Sequence, residues 1–201
     1  MPVPAARISA LNAVPLRPEG DHLLYWMTAA RRSAWSYGLD HAIARASELG
    51  KPLIVLEALR CDYPWASDRL HAFVLAGMRA NAARFAAAGV AYHPYVEPSR
   101  GAGKGLLAAL AARACLVVTD EYPCFFLPRM QAAAAALPVR IEKVDGNGVI
   151  PLRAAEIVFS TAHAFRRFIQ KRCREFIEQR PAADPLARLG LPRTPVPKDI
   201  L

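Results

Sequence analysis

Three groups of residues have the chemistry to bind a ligand. Arg31 and Arg32 come just after the apolar run Leu23-Leu24-Tyr25-Trp26-Met27, with Thr28 directly following that run. Two adjacent guanidinium groups suit a phosphate or a carboxylate. Positive charge at a helix start opposes the helix dipole, and that small cost favours a role over plain solvation. Asp120 and Glu121 follow a second apolar run, Cys115 to Thr119, and either pair with the two arginines or contact a ligand. The third group, Gly101-Ala102-Gly103-Lys104-Gly105, invites comparison with a phosphate loop. Pro98 stands where that loop needs its first glycine, and Gly105 where it needs Ser or Thr. Leu106 likewise breaks the dinucleotide fingerprint, so a flexible turn is the expectation.

Acid-base and metal chemistry find less support. The histidines at 22, 41, 71, 93 and 163 form no Ser-His-Asp or Cys-His grouping, so no catalytic residue is nominated. The cysteines at 61, 115, 124 and 173 include no Cys-x-x-Cys pair, and no metal ligands are nominated. Cys115 and Cys173 lie within apolar patterns and read as small core residues.

The elements that must position these groups alternate regularly. Leu23 to Met27 is too short for a buried helix and suits a strand covered on both faces. Trp35 to Leu49 follows as a helix with Leu39, Ala42, Ile43, Ala46 and Leu49 on one stripe, stopped by Gly50. Trp35 and Tyr37 start that helix and either stack on a planar ligand or pack in the core; packing is preferred, since aromatic residues bury large areas without a ligand. Further strands are predicted at 52–59, 90–96, 115–119 and 139–144. Helices are predicted from Ser67 to Gly89, over 106–113 and over 125–137. This alternation implies an α/β chain: a Rossmann-like, five-stranded parallel sheet with helices on both faces, an α/β/α sandwich. Ligands of such sheets bind beyond the carboxyl ends of the strands. Thr28, Arg31, Arg32, Asp120 and Glu121 all fall at such ends and are the candidate cofactor-binding residues.

Residues 1–20, with four prolines, read as an irregular leader, and 21–158 as the α/β domain. Residues 159–180 read as a basic amphipathic connecting helix, with Phe165, Phe168, Ile169, Cys173, Phe176 and Ile177 on one stripe. Arg166, Arg167, Lys171, Arg172 and Arg174 crowd its other positions. Residues 181–201 read as a Pro-rich linker. The net charge of +9 favours an anionic partner. For the basic helix, a DNA-facing surface competes with a solvated face whose apolar side docks on a neighbouring domain. The second is preferred because it also explains the phenylalanines. No apolar stretch is long enough to cross a bilayer and no signal-peptide core is present, so a soluble cytoplasmic protein is the default.

Several stretches together resemble the DNA photolyase and cryptochrome family, particularly class II. They are Leu24-Tyr25-Trp26-Met27 with Arg32, then Leu39-Asp40-His41-Ala42-Ile43 and Gly50-Lys51-Pro52-Leu53-Ile54-Val55-Leu56. Leu116-Val117-Val118-Thr119-Asp120 and Val144 to Leu152 continue the series in order and spacing, from about residue 22 to about 180. The pattern departs after the first strand. The family usually carries Arg-Asp-x-Arg and then Asp-Asn there, whereas this chain has Ala29-Ala30-Arg31-Arg32 and Trp35-Ser36.

The resemblance implies an antenna-type domain that binds a deazaflavin or folate chromophore and supports light-driven DNA repair. FAD is not expected in this stretch, because the family holds it in a helical domain. That domain is the implied partner, with DNA reached through it, and the chain is not expected to be active alone. Two other functions stay open from the residues: a nucleotide-binding regulatory domain, and an interaction module that docks through the 160–180 helix.

Overall fold

The computed structural model describes residues 2–155, 157–188 and 191. Its centre is a six-stranded sheet. In chain order the strands are β1 (Ile8–Ala10), β2 (His22–Met27), β3 (Leu53–Leu59), β4 (Ala91–Val96), β5 (Ala114–Glu121) and β6 (Ile141–Asp145). They lie side by side as β1-β6-β5-β2-β3-β4, and every pairing is parallel except β1 with β6. From β2 the chain runs outward through β3 to β4, then returns to build β5 and β6 on the other side. The strand order therefore reverses between β2 and β5. That is the switch point at which open parallel sheets leave a crevice.

The burial pattern explains the order. All six residues of β2 are buried, as are seven of the eight in β5, so both strands sit centrally between helical layers. β4 has no fully buried residue and forms an edge, where Pro94 is tolerated because no outer strand needs its missing N–H. Helices α1 (Tyr37–Leu49) and α2 (Asp68–Ala87) cover one face, and α3 (Leu106–Ala111) and α4 (Leu127–Ala134) cover the other. Leu23, Tyr25, Val55, Leu39, Ala42 and Phe85 pack on the α1/α2 side. Leu24, Trp26, Leu56, Val117, Leu110 and Ala134 pack on the opposite side. Adjacent residues of one strand thus feed two separate cores, as a period of two requires.

The expected fold class holds, with one strand more than the five expected. Ile8–Ala10, inside the stretch read as an irregular leader, pairs antiparallel with β6. Three residues are too few to display a period, and the pairing partner lies more than 130 residues away. The buried Arg7 locks this edge, donating to the carbonyls of Asp145, Gly148 and Val149 and lying over the Tyr37 ring.

Several element ends also differ. Trp35 does not begin α1, because it adopts φ 51 and Ser36 is the N-cap, its Oγ accepting from Leu39 N at 3.2 Å. β6 starts two residues later than expected. Asn12 takes over the hydrogen bonds there, donating to Val139 O at 2.8 Å and accepting from Ile141 N at 3.2 Å. Gly50 ends α1 in the left-handed region and Ser67 caps α2, both as expected.

Beyond β6, α5 (Ala162–Phe176) lies inside the predicted 159–180 stretch and is capped by Thr161. The chain then returns to α1: Tyr37 Oη donates to Gln179 O at 2.7 Å and Ala182 N donates to Asp40 Oδ2 at 2.7 Å. The linker expected over 181–201 lies partly outside the described residues. Its described part contributes Leu186 to the α1-side core. Cys115 is buried as expected, whereas Cys173 is only half-buried.

Candidate functional site

The loop leaving β2 turns three consecutive backbone amides toward one point. Thr28, Ala29 and Ala30 all donate to Asp120 Oδ2, at 3.0, 2.8 and 3.0 Å. Tyr25 Oη donates to Asp120 Oδ1 at 2.7 Å. Such a cluster of amides at a strand end is the usual seat of a bound anion. Here the chain's own carboxylate, 3% exposed, fills it. Gly38 lies against this group, and a Cβ at that position would come within 2.5 Å of Asp120 Oδ1 and 2.7 Å of Tyr25 Oη. The Gly38→Ala variant is therefore expected to lose about 2 kcal/mol of stability through overpacking, measured by urea unfolding.

The arginines and acids do not pair with one another across the switch point. Arg31 Nε donates to Glu57 Oε1 at 2.9 Å, and its Nη1 donates to Ala58 O at 3.0 Å. Glu57, from the middle of β3, also accepts from Asn81 Nδ2 at 2.9 Å and Tyr92 Oη at 2.7 Å. Arg32 is exposed and, among the described residues, its side chain donates only to Trp35 O, at 3.1 Å. Glu121 pairs instead with Lys143 at 2.9 Å and with Arg153. Of the two alternatives for Asp120 and Glu121, pairing with the two arginines or contacting a ligand, the first is not realised. Asp120 is held by nearer backbone donors, and Glu57 offers Arg31 a buried acceptor one strand away.

The glycine loop 101–105 repeats the first pattern. Glu97 Oε1 accepts from Gly101 N at 3.0 Å and from Gly103 N at 3.5 Å, while Oε2 accepts from Cys61 N at 3.1 Å. The loop that seemed a flexible turn is tied to the body by a carboxylate that is 7% exposed. A second cluster of amides is therefore also occupied from within.

Beside these two plugs lies an apolar crevice. One cavity of about 370 Å³ opens between the ends of β2, β3 and β4 and the loop before α3. Trp26, Leu56, Tyr95, Leu106, Leu107 and Met130 form most of its wall, with Arg60 and Lys104 among its polar lining. A second, of about 230 Å³, shares Trp26, Ala58, Leu59, Arg60 and Met130 with it, and adds Thr28, Arg31, Tyr63 and Phe126. Ala58 lies where the two meet, a small residue in a strand of large ones. Of the five predicted residues, Thr28 and Arg31 border this crevice. Arg32, Asp120 and Glu121 border a separate cavity of about 160 Å³ toward β6.

Aromatic residues frame the mouth. Among the described residues three non-glycines take positive φ, and all are aromatic: Trp35, Trp65 and Phe125, in the loops after β2, β3 and β5. Left-handed backbone costs such residues on the order of 1 kcal/mol each. Trp65 and Phe125, 74% and 67% exposed, meet edge-on at 5.8 Å, and Tyr122 stacks on Phe125 at 6.3 Å. The sequence carried no sign of this bridge between the loops after β3 and β5.

These groups make the site sensitive to pH at both extremes. Burial works to raise the Glu121 carboxyl, but Lys143 and Arg153 hold it below its ordinary 4.5. Amide donors do the same for Glu97. Burial and the neighbouring Asp120 push the Tyr25 hydroxyl well above 10.0, and burial and Glu57 push Tyr92 upward. Lowered carboxyls stabilise above about pH 4.5 and lose that contribution as pH falls. Raised phenols stabilise below about pH 10 and lose it as pH climbs. Urea midpoints between pH 3 and 11 should therefore fall at both ends, and Tyr92→Phe should soften the alkaline fall.

The strand order and the apolar crevice at the reversal define a Rossmann-like α/β domain with a ligand-sized site at the carboxyl edge of its sheet. Over 152 residues the chain is 32% identical to a deoxyribodipyrimidine photo-lyase of Methanothermobacter thermautotrophicus. The aligned stretch covers 75% of this chain and 33% of that protein, so the chain spans about a third of the length of its relative. No protein-family model matches it. The chain is a photolyase-like α/β domain, distant from that relative.

Proposed function

We propose that this chain is an antenna-type domain. It holds a planar chromophore, a deazaflavin or a folate, in the crevice at the carboxyl edge of the sheet. It works with a helical, FAD-holding photolyase domain that repairs DNA in light.

One observation carries the choice of ligand. Both amide clusters at this edge are filled by the chain's own carboxylates, Asp120 and Glu97, while the crevice that Thr28 and Glu97 border is walled mostly by apolar side chains. A nucleotide needs those amides for its phosphates. A flat aromatic ring system needs apolar walls and a few polar groups at the rim, which is what Trp26, Leu56, Leu107 and Met130 offer together with Arg60 and Lys104. The bound chromophore would supply light absorption. The chain's residues bind it, orient it against Trp26 and exclude water.

The test is a fluorescence titration of the chain with an 8-hydroxy-deazaflavin and with a folate, with ATP and FAD as comparison ligands. Saturable deazaflavin binding is expected. Ala58→Phe, which sets a ring where the two cavities meet, should weaken it at least tenfold, about 1.4 kcal/mol. Binding of ATP without the deazaflavin would replace this reading with the nucleotide-binding regulatory one. A folded chain that binds neither deazaflavin nor folate would overturn the antenna role.

A further inference from the structure

Helix α5 carries a cationic face with no side-chain partner among the described residues. Arg166, Arg167, Lys171 and Arg174 are all exposed, and at 100° per residue they share one arc of the helix with His163 and Gln170. Among the described residues none of the four has an ion-pair or hydrogen-bond partner. The fifth cation behaves differently. Arg172 pairs with Glu175 at 2.9 Å and lies over the rings of Phe168 and Phe176. Arg172 thus belongs to the apolar side, and the remaining four form a face without an acid among them.

The apolar side is largely occupied within the chain. Phe159 packs on Phe165 and Phe168 at 5.4 and 5.0 Å between ring centroids, and Phe176 is buried. Among the described residues the most exposed apolar side chains lie toward the two ends, Ile157, Val158 and Phe165 at one and Ile177 at the other, while Phe168, Ile169 and Cys173 between them are half-buried. A helix that lies in a membrane interface needs a continuous free apolar face. This helix offers a continuous free cationic one instead.

We infer that the Arg166–Arg167–Lys171–Arg174 face of α5 binds the phosphate backbone of duplex DNA. Arg167, Lys171 and Arg174 form a row about 10 Å long at a rise of about 1.5 Å per residue. Duplex DNA presents about one charge per 1.7 Å of its axis, so such a row meets several phosphates at once. Contacts of this kind read no sequence; they hold the duplex against the domain. This surface is separate from the crevice and does not depend on a chromophore being bound there.

The experiment is fluorescence anisotropy of the whole chain with a labelled duplex of about 20 bp, repeated across about 50 to 200 mM KCl, where phosphate contacts dominate affinity. Replacing all four residues with Gln should weaken binding at least tenfold and make the salt slope shallower by about 3 to 4, at about 0.9 per phosphate contact. All four are exposed, so the fold should be retained, checked by the urea midpoint. A control in which Arg69, Arg79, Arg100 and Arg129 become Gln removes the same charge from elsewhere and should stay within threefold of the unaltered chain. Equal losses in the two variants would show general charge attraction and overturn the assignment. So would an unaltered chain that ignores the duplex at the lowest salt, or one that binds only vesicles containing phosphatidylglycerol.

Discussion

Asp120→Ala is expected to cost about 4 kcal/mol of stability, because it leaves three backbone amides and a buried phenol without an acceptor. Each of those donors would lose between about 1 and 3 kcal/mol if nothing replaced the carboxylate. The sum is not reached, since water can enter through the adjacent cavity of about 160 Å³. Asp120→Asn separates charge from shape. It keeps one oxygen for the amides but turns an NH₂ group toward another donor, so a loss of about half is expected. Tyr25→Phe removes a single donor and should cost only about 1 kcal/mol. A more telling result concerns anions. With the carboxylate gone, the amides of Thr28, Ala29 and Ala30 form an empty anion seat, and added formate should raise the urea midpoint of Asp120→Ala while leaving the unaltered chain unmoved. A loss below about 1 kcal/mol, or no response to formate, would show that the amides are satisfied by other means.

That arrangement shows what could and could not be read along the chain. Strands β2, β3 and β5 were visible because central parallel strands are apolar on both faces and stand out as unbroken runs. Gly50 and Ser67 were visible because caps are local chemistry. β1 was invisible because its three residues acquire meaning only beside β6, and the same holds for Asn12, whose partners lie beyond residue 130. The candidate site followed the same division. Thr28, Arg31, Arg32, Asp120 and Glu121 were correctly placed at strand ends, since strand ends are a local property. Their partners were not predictable, because pairing depends on which strand lies next to which. Glu57 sits inside an apolar strand, and Glu97 just before a glycine loop. An acid in the strand is unfavourable without partners, and that mismatch is a readable signal; Glu97 stands in a polar turn and gives none.

Glu57 gives the second large effect. It is 1% exposed and answers three donors, Arg31, Asn81 and Tyr92. Removing one member of a buried ion pair generally costs about 3 to 5 kcal/mol, because the other charge is left without compensation. For Glu57→Ala the lower end, about 3 kcal/mol, is expected. Arg31 is 24% exposed at its side chain and can swing outward into the crevice it borders. The double variant Glu57→Ala with Arg31→Met takes the stranded charge away. It should be less damaged than the two single losses added together, by about 1 to 2 kcal/mol in a double-mutant cycle. Additive losses would mean that Arg31 gains nothing from Glu57, and that its place is fixed by the Ala58 carbonyl alone. The crevice supplies an independent readout. An Arg31 released from Glu57 would project a second guanidinium, beside that of Arg60, into a space walled mostly by apolar side chains. Glu57→Ala should then weaken deazaflavin binding, and adding Arg31→Met should restore it. In that case the ion pair acts on the ligand by keeping its own cation out of the ligand's way.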